Sequence, residues 1–289
     1  MKPRDASADY WPAVLAFVGP GHFLQAASVC RGWRAAYTLL HPAAVSSYAS
    51  AAQSRALLRW ALAAGLPRDD AAVAARAAAA GALDALAWAL DAALLPCDYR
   101  VCAYAARAGR VDALRWARAR GLPWCAAACY EAAGGGRLEA LAWLRSHGCP
   151  WDEWTATYAA QGGHLAVLQW ALDNGAPLDA GAAAEHAAAA GRVRVLEYLL
   201  LRDRGGGLRG ADVCAAAARG AQLAALRWAR AHGCVWGWRV TLAAATAGAV
   251  DCLEWAARNE CPVVAWRCAA AAAPDALRWL ARNGYVDAP

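Results

Sequence analysis

The stretch GRLEALAW, Gly136–Trp143, has counterparts along most of the chain. It reads GALDALAW at Gly81–Trp88, GRVDALRW at Gly109–Trp116, GHLAVLQW at Gly163–Trp170 and GRVRVLEY at Gly191–Tyr198. GAQLAALRW, Gly220–Trp228, reads with one extra residue, and GAVDCLEW closes at Trp255. Degenerate copies end at Trp60 (RALLRW) and Trp279 (PDALRWL). The closing aromatic therefore falls at 60, 88, 116, 143, 170, 198, 228, 255 and 279, mostly 27–28 residues apart. A fixed period of that size is the signature of a stack of small supersecondary units, none of which buries its apolar face alone.

Each unit has a second landmark. A Pro follows the aromatic by seven residues at Pro67, Pro123, Pro150, Pro177 and Pro262, and by eight at Pro96. A Gly usually sits two or three places before it, the expected stop of a helix. An Ala-rich run comes next, as in Ala71–Ala80 or Ala182–Ala190, and ends at the Gly that opens the next motif. One unit is then a loop, a short helix A, a Gly turn, a helix B and a Gly-x-Pro loop. Within helix B, Leu138, Leu141 and Trp143 are read as one apolar stripe. Burying such a ring removes about 150–250 Å² from water, on the order of 4–6 kcal/mol before entropy. The aromatics are therefore expected to be the main glue of the stack.

Composition agrees. The apolar fraction is 60%, built on Ala and 16 Trp, with only 2 Phe and 1 Met. Ala is the strongest helix former, and β-branched residues are few, which excludes a mostly β chain. Mean hydropathy is +0.22. Every apolar stretch is nevertheless cut by charge well short of the roughly 20 residues a spanning helix needs. The segment MKPRDASADY, Met1–Tyr10, has no apolar leader run. The 11 Cys are an odd number, which argues for reduced thiols. A cytoplasmic or nuclear protein with no membrane partner is expected. The net charge of +6 is mild and does not by itself imply nucleic acid. Lys2 is the single lysine among 29 basic residues, as GC-rich coding would produce.

Thr155–Asp179, TATYAAQGGHLAVLQWALDNGAPLD, resembles the ankyrin pattern. It has a Thr opening helix A, Ala-Ala, Gly-His-Leu, an apolar helix B, then Asn-Gly-Ala and a terminal Asp. The resemblance covers about residues 50–289 and implies an all-α, ankyrin-like helical-hairpin repeat solenoid over 49–289. It also implies a protein-interaction role. The units are shorter than the typical 33 residues, lack the Thr-Pro-Leu-His opening, and carry Trp near the centre of helix B. The β-hairpin finger is expected to be reduced to a Pro turn. Pro274 and the short last unit suit a C-terminal cap, and 201–210 (LRDRGGGLRG) reads as a surface loop insertion.

Residues 1–48 lie outside the repeat. Trp11–Tyr37, WPAVLAFVGPGHFLQAASVCRGWRAAY, is similar to an F-box, mainly through Val29-Cys30-Arg31-Gly32-Trp33. The first half is shorter than the family's opening and lacks its acidic residue. The resemblance implies docking on a Skp1-type adaptor of a cullin ubiquitin ligase, with Leu15, Val18, Pro20, Phe23, Leu24, Val29 and Trp33 as contacts. The other reading of this segment is an N-terminal cap on the stack. The chain is then a plain ankyrin-type binding module with no ubiquitin role.

Chemistry is sparse. No Gly-x-Ser-x-Gly and no phosphate-binding Gly-x4-Gly-Lys-Ser/Thr loop occurs. Gly205-Gly206-Gly207 follows no strand. Cys102, Cys129 and Cys268 each lie six residues after their unit's Pro, and Cys149, Cys234 and Cys261 just before it. These are repeat positions for small apolar side chains, with no His at zinc spacing. No enzyme activity, cofactor or metal is expected. Extra aromatics gather near the Pro loops: Trp124, Tyr130, Trp151, Trp154, Tyr158, Trp236, Trp238 and Trp266. They are interface anchors for a protein partner of unknown identity, or packing between neighbouring loops. Arg115, Arg118, Arg120, Arg145, Arg227, Arg230, Arg258, Arg278 and Arg282 read as helix caps and a solvated face. That reading argues against nucleic acid as partner. The protein is expected to be monomeric apart from its partners.

Overall fold

The computed structural model describes residues 52–63, 71–92, 95–203 and 206–286, and among these there is no β-strand. The adaptor-contact residues expected between Leu15 and Trp33 lie outside the described residues. The chain divides into two compact units, 1–128 and 129–289. The first contains α1 (Arg55–Ala63), α2 (Ala71–Ala80), α3 (Leu83–Asp91), α4 (Tyr99–Ala108) and α5 (Val111–Ala119). α6 (Ala126–Gly134) begins at its end. The second continues with α7 (Leu138–Ser146), α8 (Glu153–Gly162), α9 (Leu165–Asp173), α10 (Ala180–Ala189) and α11 (Val193–Arg202). It ends with α12 (Gly207–Gly210), α13 (Val213–Arg219), α14 (Leu223–Ala231), α15 (Trp238–Ala247), α16 (Val250–Arg258), α17 (Ala265–Ala271) and α18 (Pro274–Arg282).

In both units the helices alternate as A and B. Within each unit A helices pack on the B helix that follows, as α2 on α3 and α10 on α11, and on the A helix of the next repeat: α2 on α4, α8 on α10, α10 on α13, α13 on α15. Ala makes this possible. Ala74, Ala75, Ala77 and Ala78 of α2 are fully buried, as are Ala183, Ala184, Ala187 and Ala188 of α10. With only a methyl group per residue, neighbouring backbones come close and the helices lose little side-chain entropy on packing. This is the all-α helical-hairpin repeat that the period implies.

The turn from A to B is closed by two backbone hydrogen bonds. Gly163 N–H donates to Ala160 O and His164 N–H to Ala159 O, at 3.1 and 3.0 Å. Gly163 itself sits at φ 81°, the left-handed position that glycine occupies without cost. The same pair of bonds closes the B helices, as Gly148 N–H to Arg145 O and Cys149 N–H to Leu144 O. At the motif that reads with an extra residue, the turn position is Ala221, at φ 56°, and not Gly220. Gly220 is the C-cap of α13, the residue before the turn position. A Cβ there would lie 1.9 Å from the Ala189 carbonyl oxygen of the preceding A helix. No residue is inserted in this motif: the glycine is displaced by one place because the backbone approach demands it there. The longer spacing arises upstream, in 203–212.

That upstream segment is more than a surface loop. The Asp203 carboxylate accepts from the amides of Gly207 and Leu208 at 3.2 and 2.8 Å. These bonds hold the single turn α12 against α10, and Leu208 is fully buried.

The aromatic ladder differs from expectation. Trp88, Trp116, Trp143, Trp170, Tyr198, Trp228, Trp255 and Trp279 are all half-buried. In seven of these eight the fully buried residue is the Leu two places earlier: Leu86, Leu114, Leu141, Leu168, Leu196, Leu226 and Leu253, each at 0% exposure; before Trp279 that position is the half-buried Leu277. Two residues along a helix is a rotation of about 200°, so Leu141 and Trp143 cannot share a face. The core is a leucine ladder flanked by alanines such as Ala113 and Ala117, and each full Leu burial contributes roughly 1.5–3 kcal/mol. The aromatics sit outside it. Their carbonyls are capped by the side chain four residues on: His147, Asn174, His232, Asn259 and Asn283. Trp143 and Trp228 stack on their histidines at 4.2 and 4.3 Å between centroids.

Candidate protein-binding face

The second unit carries two aromatic groupings on its A helices. In the first, Tyr130 of α6 and Tyr158 of α8 lie 4.8 Å apart between ring centroids. Trp154 meets Tyr158 edge-on at 6.3 Å and His186 of α10 edge-on at 6.0 Å. Gly134 makes room for this cluster, since a Cβ there would lie 3.2 Å from the Tyr158 ring. Trp154 is 43% exposed, although α8 buries Thr155, Ala156, Ala159 and Ala160. The helix thus turns its small residues inward and leaves an aromatic ridge outside.

The second grouping is a groove of about 420 Å³ between α13 and α15. Asp212, Arg219, Trp238, Arg239 and Leu242 line it. Arg239 donates to the Asp212 carboxylate at 2.6 Å. From α17, the Arg267 guanidinium lies 4.4 Å from the Trp238 ring centroid and 5.0 Å from that of Trp266. Trp266 is 69% exposed, the most open aromatic among the described residues. Thr241, buried beside this groove, donates to the Pro262 carbonyl at 2.8 Å and ties α15 to the following loop.

The remaining expected anchors are already engaged. Trp124, Trp151 and Trp236 stand one place after the loop prolines or in the equivalent position, and all are half-buried. Arg118, Arg145 and Arg230 lie over them, with 4.0, 4.0 and 5.0 Å from guanidinium carbon to centroid. Arg118 and Arg145 also donate to the loop carbonyls of Leu122 and Cys149. Trp151 then meets Trp170 edge-on, and Trp236 meets Trp255 edge-on at 5.6 Å. An Arg–Trp–Trp pile thus joins one repeat's loop to the next repeat's B helix, which gives these rings a packing role. Cation–π contacts of this kind contribute about 0.5–1 kcal/mol at exposed sites.

Sequence reasoning missed three groups of exposed residues. Tyr99 and Tyr104 of α4, in the first unit, are 45% and 37% exposed. Tyr104 stands five residues before its turn glycine, the register of Tyr158 and His186, so aligning the A helices on their turns would have found it. Arg267 was hidden because its value lies in Trp238, one repeat earlier. Leu201, 86% exposed at the end of α11, has no sequence signal.

The thiols are core groups. Among the described residues no cluster of three or more His, Cys, Asp or Glu side chains is arranged to hold a metal ion. Burial pushes the Cys214 thiol up to about 12, and Cys252 and Cys261 up to about 11. Such thiols are neutral at physiological pH and poor nucleophiles or ligands. Cys261 donates weakly to the Gly237 carbonyl at 3.3 Å. Two exposed ion pairs, Arg120–Asp91 in the first unit and Arg202–Asp173 in the second, link successive B helices at 2.5 and 2.8 Å. No helix among the described residues is long and apolar enough to cross a membrane.

No protein-family model matches the sequence, and no curated protein matches it. Among solved structures the chain is similar to the ankyrin repeat domain of human ASB11, with 18% identity and a TM-score of 0.47. That similarity spans 65% of this chain and 98% of the other.

Proposed function

We propose that this protein is a scaffold that holds another protein along the A-helix face of its second unit. The observation that carries the reading is the ridge of Tyr130, Trp154, Tyr158 and His186, three half-buried rings around the exposed Trp154, on helices whose other faces are alanine-packed. Rigid aromatic side chains on a fixed support lose little entropy on binding and are typical interface anchors. Neither grouping brings a nucleophile, a base and a polarising group together, so the arrangement offers recognition and no reaction. The test compares proteins captured by the wild-type chain and by Trp154→Ala/Tyr158→Ala in quantitative cross-linking. Partners that depend on the two rings are expected, with far-UV circular dichroism unchanged. An identical capture profile would refute the assignment of this face.

The finer reading is that of a substrate receptor in a cullin-type ubiquitin ligase, acting in the cytoplasm or nucleus as a monomer apart from its partners. Its support is the F-box-like sequence Val29-Cys30-Arg31-Gly32-Trp33 ahead of the repeats. Co-purification with a Skp1-type adaptor that is lost in Phe23→Ala/Trp33→Ala is the expected result. Adaptor capture that ignores both substitutions removes the ligase role and leaves the plain binding module.

A further inference from the structure

The groove between α13 and α15 has a charge pattern that the aromatic ridge lacks. Arg219 and Arg239 line it, and Arg267 lies on Trp238, which forms part of its wall. Two guanidinium groups, Arg219 and Arg239, thus line the groove with one carboxylate, Asp212, which pairs with Arg239. Arg267 adds a third cation beside Trp238, and Glu185 accepts from the Asp212 amide. Arg219 and Arg267 have no ion-pair partner among the described residues, and both are exposed. Leu242 adds an apolar side chain to the groove lining. Consecutive A helices form the two sides, which suits an extended chain.

We propose that this groove binds an acidic protein segment, with an apolar side chain on Leu242 and Trp238 and flanking carboxylates on Arg219, Arg239 and Arg267. The proposal rests on the protein-binding reading above and names the chemistry of the partner. Carboxylates match the planar guanidinium fork, and charge-assisted pairs of this kind are stronger than neutral hydrogen bonds. Asp212 acts as a built-in competitor: it occupies Arg239 in the empty groove and must share it with an incoming carboxylate. Single-stranded nucleic acid fits less well. It requires open ring faces for stacking, and Arg267 already lies against Trp238.

Fluorescence anisotropy on the full chain tests this with three labelled probes. They are a peptide of four glutamates around one leucine, the same peptide with lysines, and single-stranded oligothymidylate. The glutamate peptide is expected to bind, more weakly as salt rises, and the lysine peptide is not. Arg219→Ala/Arg267→Ala is expected to weaken binding by about tenfold or more. Asp212→Asn is expected to tighten it a few-fold, a change of sign that damage to the fold would not produce. The Asp212 side chain makes no cap bond to α13, so the substitution leaves the helix start intact. Equal binding of the lysine peptide, tighter binding of oligothymidylate, or indifference to the arginine substitutions would overturn the proposal. A chain that ignores the glutamate peptide but still captures partners through Trp154 and Tyr158 loses this groove assignment alone. A chain that does neither loses the scaffold reading as well.

Discussion

Gly220 and Ala221 give two adjacent substitutions with opposite expected signs. Gly220→Ala adds a methyl group that the backbone places 1.9 Å from the Ala189 carbonyl oxygen. The obstacle is main chain at the end of α10, so relief requires α13 to move away from α10 by more than 1 Å. Those two helices form one of the alanine-packed contacts of the second unit. Overpacking of this type costs typically 1–3 kcal/mol, and the rigid obstacle puts the expected value at the upper end, about 3 kcal/mol. Ala221→Gly acts in reverse. Ala221 sits at φ 56°, where a Cβ costs roughly 1–2 kcal/mol that glycine does not bear. Part of that gain is offset by the extra freedom of glycine in the unfolded chain, leaving about 1 kcal/mol of stabilisation. For a chain of this size that corresponds to a shift of about 2–4 °C in Tm per kcal/mol.

The assay is urea unfolding followed by circular dichroism at 222 nm, with hydrogen exchange on α13 and α14 as a local readout. The local readout matters because long repeat arrays depart from two-state behaviour. The double variant restores the Ala-Gly order seen at Ala190-Gly191, yet it is expected to remain less stable than wild type, since the clash at position 220 persists. An unchanged midpoint for Gly220→Ala, or a lower one for Ala221→Gly, would refute the account of the displaced glycine.

Two further predictions concern the core and the thiols. Leu168→Ala is expected to cost about 2.7–5 kcal/mol, more than Trp170→Ala, and a Trp151/Trp170 double-mutant cycle is expected to return a coupling of about 0.5–1.5 kcal/mol; a costlier Trp170→Ala would restore the aromatics as the main glue. Burial holds the folded thiols of Cys214, Cys252 and Cys261 at about 12, 11 and 11, above the ordinary thiol range, so the unfolded chain loses these protons first. The stability that these neutral buried thiols contribute is fully present below about pH 9 and is lost progressively as pH rises above it. Urea midpoints from pH 7 to 10, with Cys214→Ala flattening the decline, check the sign.

How much was legible follows from what each signal measures. The period, the alternation of A and B helices and the missing finger were readable because they depend on spacing, and glycine and proline mark spacing directly. The core is not legible in the same way, because hydrophobicity is a poor proxy for burial. Trp143 is more apolar in area than Leu141, but the helix geometry sends them to different sides, and the lighter residue is the buried one. The displaced glycine is not legible for a related reason. A motif match fixes on the letter Gly, whereas the structure fixes on a left-handed position, and at Ala221 the two part company.

The site was half legible, and the division has a physical cause. Trp154 and Tyr158 stand four residues apart on one helix, so their cooperation is written in the sequence. The pairing of Arg267 with Trp238 crosses from one repeat to the next, as do Trp151 with Trp170 and Trp236 with Trp255. In a repeat stack, neighbouring surface positions are separated by about one period in sequence, so the surface that recognises a partner is read across repeats and not along them. The same register that aligns the leucine ladder therefore aligns the recognition surface. A substitution at one A-helix position is felt first by the same position one repeat away. This is why Arg267→Ala in α17 is expected to alter a groove whose walls belong to α13 and α15.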